Sequence, residues 1–133
     1  MEPVKKPVNV LIMDDAVVVR KLISALLSEI ENVQMIFQAG DAVSAVQLFV
    51  EHKPQIAILD IKVPGGNGMK NGIDVLRVVK KAHPSATVIM LTNHANAKYS
   101  AECKQAGADF FFDKSTEFDR LPAAVAEVLQ RDA

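Results

Sequence analysis

The chain alternates short, nearly unbroken apolar runs with longer stretches in which apolar residues recur every three or four positions. Val8 to Met13 is such a run and ends at Asp14 and Asp15. It predicts a strand covered on both faces rather than one with a wet face. From Val18 the apolar residues return as Leu22, Ile23, Leu26, Leu27 and Ile30, leaving Arg20, Lys21, Ser24 and Glu29 for solvent, the stripe of a first helix. Val33 to Ala39 reads as a second strand, Gly40 as a turn, Asp41 as a helix cap, and Ala42, Val46 and Phe49 as the buried side of a second helix. Gln55 to Leu59 is a third strand ending at Asp60. The loop Pro64-Gly65-Gly66-Asn67-Gly68 precedes a helix with Ile73, Leu76 and Val79 on one side, stopped near His83-Pro84 by the proline ring. Thr87 to Leu91 is a fourth strand, and a helix around Lys98 to Gln105 ends at Gly107. Ala108 to Phe112 is a fifth strand, and Phe118, Leu121, Val125 and Leu129 mark a closing helix.

Five strand-helix pairs in this order predict an α/β fold, a parallel sheet doubly wound by about five helices, because each crossover packs back onto the sheet with one hand. A length of 133 residues, half of them hydrophobic, suits one domain over 1–133 with a core of about 8–131. The formal net charge of -1 gives no general attraction to nucleic acid or anionic membrane. Cys103 is alone, so no intrachain disulfide is expected. The N-terminus leads into only a short apolar run, too short for a membrane span and unlike a secretory signal, so a cytoplasmic protein is expected.

Chemistry gathers at the strand ends. In an open parallel sheet, ligands bind outside the carboxyl ends of the strands. Asp14 and Asp15 end the first strand, Asp60 the third, Thr92 the fourth and Lys114 the fifth, whereas the strand interiors are almost wholly apolar. An Asp-Asp pair alone is more often a cap or turn than a metal site, Thr92 alone a cap, and Lys114 alone a surface lysine. Together on one rim they form a set of three carboxylates, a hydroxyl and an ammonium. Carboxylates that close repel one another unless a cation joins them, and Mg²⁺ (or Mn²⁺), which prefers oxygen ligands, is the natural cation. His52, His83 and His94 lack metal-ligand spacing and read as surface or loop residues, with His94 close enough to Thr92 to affect chemistry there.

From about Val8 to Arg131 the chain resembles the response regulator receiver domains of bacterial two-component signalling. The matching pieces are Leu-Ile-Met-Asp-Asp, Ile-Leu-Asp-Ile-Lys-Val-Pro-Gly, Leu-Thr before the fourth loop and Phe-Phe-Phe-Asp-Lys. The resemblance implies a flavodoxin-like receiver fold with strand order 2-1-3-4-5. It implies a phospho-accepting switch rather than an enzyme acting on other molecules, in which Asp60 takes a phosphoryl group from a histidine kinase or histidine phosphotransfer protein. Asp15, Asp60 and the backbone carbonyl of Lys62 would ligate Mg²⁺ directly, with Asp14 acting largely through water. Lys114 and Thr92 would contact the phosphoryl oxygens, and Thr92 with Phe111 would form the switch. The face of the fourth helix, fifth strand and fifth helix would carry the signal to an effector protein, with no direct contact to nucleic acid or membrane. The protein would be a monomer or a phosphorylation-dependent dimer.

Three departures from that pattern stand out. Ser115 follows Lys114 where receivers commonly have a cis proline, and a non-proline cis bond costs roughly 2.5–4 kcal/mol. The loop from Pro64 to Gly72 is about four residues longer than usual, and both Asn67-Gly68 and Asn71-Gly72 fit its Asn-Gly turn. Asn93 is larger than the small residue common after the threonine. Two other functions compete. A phosphorylation-independent interaction module would not need the full set of acids, threonine and lysine. A phosphatase of the haloacid-dehalogenase kind would carry Asp-x-Asp after its first strand, where this chain has Asp14-Asp15-Ala16.

Overall fold

The computed structural model describes residues 6–131. Strands β1 (Val8–Met13), β2 (Val33–Ala39), β3 (Ile56–Leu59), β4 (Thr87–Thr92) and β5 (Phe110–Asp113) alternate with helices α1 (Val17–Ser28), α2 (Ala42–His52), α3 (Gly72–Ala82), α4 (Ala97–Gln105) and α5 (Leu121–Arg131). One 3-10 turn, Phe118–Arg120, leads into α5 and contains the Phe118 expected within the closing helix. The sheet is parallel with order β2-β1-β3-β4-β5. The doubly wound order is therefore the expected one; β1 and β2 have the limits read in the sequence, and those of β3, β4 and β5 differ by one or two residues.

Alternation along each strand divides the core in two. Leu11, Met13, Ala57, Leu59, Val88 and Met90 face α2, α3 and α4, meeting Ala45, Phe49, Ile73, Leu76, Val79 and Cys103. Val10, Ile12, Ile56, Ile58, Ile89 and Leu91 face α1 and α5, meeting Ile23, Leu27, Leu121, Val125 and Val128. Because both faces are covered, the inner strands are apolar at almost every position, which is why they read as runs in the sequence. Phe111 lies half-buried on the α4 side, and Phe110 and Phe112 lie on the other, 5.8 Å apart.

Helix ends follow local chemistry. The Asp41 carboxylate accepts from the Ser44 backbone N–H at 2.8 Å and from its hydroxyl at 3.0 Å, capping α2 as expected. Asn71 and Asn96 cap α3 and α4 by accepting from the Ile73 and Tyr99 N–H groups. Gly107, at φ +100°, ends α4 in a conformation that side chains resist. The buried stripe of α1 differs from expectation. Ile23 and Leu27 are buried and Val19 and Ile30 pack beside them, but Val18 is 78% and Leu22 51% exposed. The helix is apolar on more than one side, so periodicity alone left two stripes to choose between.

The tightest backbone approach is at Gly72, where a Cβ would stand 1.7 Å from the Asp60 carbonyl oxygen. Gly72→Ala must therefore move α3 away from β3, and thermal or urea unfolding should show a loss of about 2–4 kcal/mol. Burial pushes the Cys103 thiol up to about 11, with the neighbouring Glu102 charge adding to the effect. The thiolate is scarce at pH 8, so a disulfide reagent should titrate Cys103 only on unfolding.

Candidate functional site

The carboxyl edge of the sheet brings together the acids that the sequence placed at strand ends. β1 and β3 are neighbours, with Met13 opposite Leu59, so the residues that follow, Asp14 and Asp60, end side by side. One carboxylate oxygen from each of Asp14, Asp15 and Asp60 lies within 4.8 Å of the others. Asp14 and Asp60 are buried, and Asp15 is exposed. At an effective dielectric constant of about 20, two charges that far apart repel by about 3 kcal/mol.

Lys114 reaches into this cluster from the end of β5. Its Nζ donates to Asp14 Oδ2 and, at 2.8 Å, to Asp60 Oδ2. Burial alone would favour the neutral amine, but the hydrogen bonds and negative charges of the two aspartates outweigh it and raise the Lys114 pKa. Register explains its position: Thr92 pairs with Asp113, and the Lys114 backbone N–H donates to the Thr92 carbonyl at 2.9 Å. The Thr92 side chain is fully buried, and its Oγ1 accepts from the His94 backbone N–H at 3.1 Å, leaving the hydroxyl proton free to be donated elsewhere. The other Asp60 oxygen, Oδ1, accepts from the Ile61 N–H at 2.7 Å.

Two of the departures resolve in the backbone. Every peptide bond among the described residues is trans, Lys114-Ser115 included. The Ser115 N–H and hydroxyl both donate to Asp113 Oδ1, at 2.9 and 2.6 Å, the first being a bond that proline cannot make. These bonds hold the Asp113 carboxyl below the usual carboxylate range. In the longer loop, Asn71-Gly72 starts α3, whereas Asn67-Gly68 forms the tip of a small hairpin. Gly66 and Met69 exchange N–H···O bonds of 2.9 Å, and Asn67 and Gly68 both have positive φ, the geometry for which an Asn-Gly turn is suited. The hairpin is anchored to α2, since Ala42 donates to the Pro64 carbonyl and a Cβ on Gly66 would meet the Val43 side chain at 2.8 Å.

Some placements were not expected. Arg20 Nη1 donates to the Asp14 carbonyl at 2.6 Å, close against Gly40, and so fixes the corner that carries the acids. Its position off the apolar stripe of the first helix had pointed to solvent. Of the histidines, His52 is exposed and stacks on Phe37 at 4.1 Å, His83 is half-buried against Phe49, and His94 and Asn93 are exposed. Exposed Val17 and Val18 follow the acidic corner directly on α1.

The donor set fits a hard divalent cation. It consists of oxygens, and three carboxylates with one ammonium leave a formal charge of -2. Among the described residues no helix is long and apolar enough to cross a membrane.

Comparisons with known proteins agree with this edge. Residues 10–126 match the response regulator receiver domain. The chain is 28% identical over 124 residues to Fimbriae Z protein of Salmonella typhimurium, covering 93% of this chain and 57% of that one. It is 29% identical to Sporulation initiation phosphotransferase F of Bacillus subtilis, covering 91% and 93%. The solved response regulator domain of Thermotoga maritima CheB superposes with a TM-score of 0.75 at 25% identity, covering 96% of both chains. The chain thus spans about half the length of several curated relatives, 57% and 55% of the first ones, and nearly all of others. With its sheet order and its match over residues 10–126, the chain belongs to the response regulator receiver domains of two-component systems.

Proposed function

We propose that this receiver takes up a phosphoryl group on Asp60 in a reaction that needs Mg²⁺ (or Mn²⁺), and that the modification switches a protein-binding surface. The observation that carries the reading is the Lys114 ammonium bonded to both Asp14 and Asp60 within a cluster of three acids. Asp14, Asp15, Asp60 and the Lys62 backbone carbonyl would hold the cation, which when bound neutralises charge on the transferring phosphoryl group.

One Asp60 oxygen attacks phosphorus of a phosphohistidine on a histidine kinase or phosphotransfer protein. The new O–P bond forms as the P–N bond breaks, and the departing imidazole keeps the electron pair and takes a proton. The chain contributes position and charge. The Ile61 N–H holds Asp60 Oδ1 in place, and Lys114 stands ready for the phosphoryl oxygens. The Thr92 hydroxyl donates to one of those oxygens, and its inward movement makes room for Phe111, half-buried beside α4, to turn in by packing alone. The α4–β5–α5 face then presents a changed surface to an effector. Exposed Val17, Val18 and Leu22 give a protein donor apolar surface to bury next to the acids.

Intact mass after treatment with acetyl phosphate tests the reading. Wild type with Mg²⁺ should gain one phosphoryl group, whereas wild type with EDTA and Asp60→Ala should gain none; no gain in any sample would leave a phosphorylation-independent module. Lys114→Met should lose about 3 kcal/mol of stability in EDTA, because it leaves buried carboxylates without their counter-charge, and saturating Mg²⁺ should recover much of that. The sign with pH follows from the raised Lys114 pKa. The difference between wild type and variant is complete below 10.5, the ordinary lysine value, and shrinks as pH rises through the folded value, as urea titrations across that range would show.

A further inference from the structure

Lys62 is exposed two residues after Asp60, and its Nζ lies 5.6 Å from the centre of the Tyr99 ring on α4. No carboxylate oxygen lies within 4 Å of that ammonium among the described residues. Other cations near the acids are engaged, Lys114 with Asp14 and Asp60 and Arg20 with the Asp14 carbonyl. Tyr99 is half-buried and packs on the same core face as Phe111. It matters to α4 because that helix is thinly attached, with Cys103 its one buried residue. Lys62 therefore joins the loop that follows Asp60 to the helix most easily moved.

We propose that Lys62 is a phosphoryl-contacting residue held in reserve on Tyr99. When Asp60 carries a phosphoryl group, the Lys62 ammonium leaves the ring for a phosphoryl oxygen, and α4 loses one of its few ties. The inference rests on Asp60 being the phosphoacceptor. Reach is sufficient, since residues two apart have Cα atoms within about 7 Å and lysine adds a flexible four-carbon stem. The direction follows from magnitudes. A cation over an exposed ring favours that contact by about two- to fivefold, whereas a charge-assisted bond to a phosphoryl dianion favours its own by about tenfold or more. Each of the three phosphoryl oxygens has more than one lone pair, so an oxygen that already meets Lys114, Thr92 or the cation can still accept from Lys62.

Tyr99 is the sole tyrosine and the chain has no tryptophan, so tyrosine emission comes from this ring alone. Acrylamide quenching of that emission would be measured on the full chain in Mg²⁺, before and after acetyl phosphate, with intact mass on the same samples. The wild-type quenching constant should rise about twofold on phosphorylation as the ring is uncovered, the scale expected from losing one such contact. Lys62→Met, which keeps the stem and the backbone carbonyl, should start at the higher value before any phosphodonor is added, and Lys62→Arg should restore the wild-type response. The proposal is overturned if wild type gains the mass with quenching unchanged, or if unmodified Lys62→Met quenches like unmodified wild type. No gain of mass in wild type would instead overturn the Asp60 reading, and this one with it.

Discussion

Like charges have to be held together at one edge of this sheet, and most of the surrounding structure serves that constraint. Asp14, Asp15 and Asp60 present oxygens within 4.8 Å of one another, each pair opposed by about 3 kcal/mol. Nothing in the acids themselves would keep them there. They are held because β1 and β3 are hydrogen-bonded neighbours buried on both faces, so separating the carboxylates would mean opening the middle of the core. The ammonium of Lys114 relieves part of the repulsion, and its place is set by the pairing of β4 with β5. The remaining formal charge of -2, carried on oxygen donors, suits the edge to a hard cation, and the acids and lysine form one coupled unit.

Around that unit the backbone tolerates change without giving up position. Ser115 stands where receivers commonly have proline, yet its N–H and hydroxyl bond to Asp113, and the chain passes through a trans peptide with Lys114 aimed at the acids. The longer loop after β3 puts its extra residues into a hairpin clamped to α2, so that Gly72 can still pack against the Asp60 carbonyl. Solved response regulators of very different total length contain this fold.

Much of this was legible in the sequence because burial on both faces writes the inner strands as apolar runs, and the clustered acids come directly after two of them. Val8 to Met13 and Val33 to Ala39 were readable to the residue. Physical ambiguity accounts for the rest. On α1 too many positions are apolar, so Val18 and Leu22 read as core although they face solvent, while Arg20 read as solvent-facing although its guanidinium holds the Asp14 carbonyl. Two Asn-Gly pairs in one loop are equal as turn formers, and only the Cβ-free contact at Gly72 assigns one of them to α3. The Lys62–Tyr99 contact joins residues 37 apart and leaves no local pattern at all.

The central claim, that the acid cluster makes Asp60 an acceptor of phosphoryl groups, is tested most directly by trapping the acyl phosphate where it forms. Borohydride reduction of the phosphorylated chain, followed by peptide mapping, converts a phosphorylated aspartate to homoserine. Homoserine at position 60, and only in samples phosphorylated with Mg²⁺ present, is the expected result. Homoserine at Asp14 or Asp15 instead, or at none of the three, would contradict it.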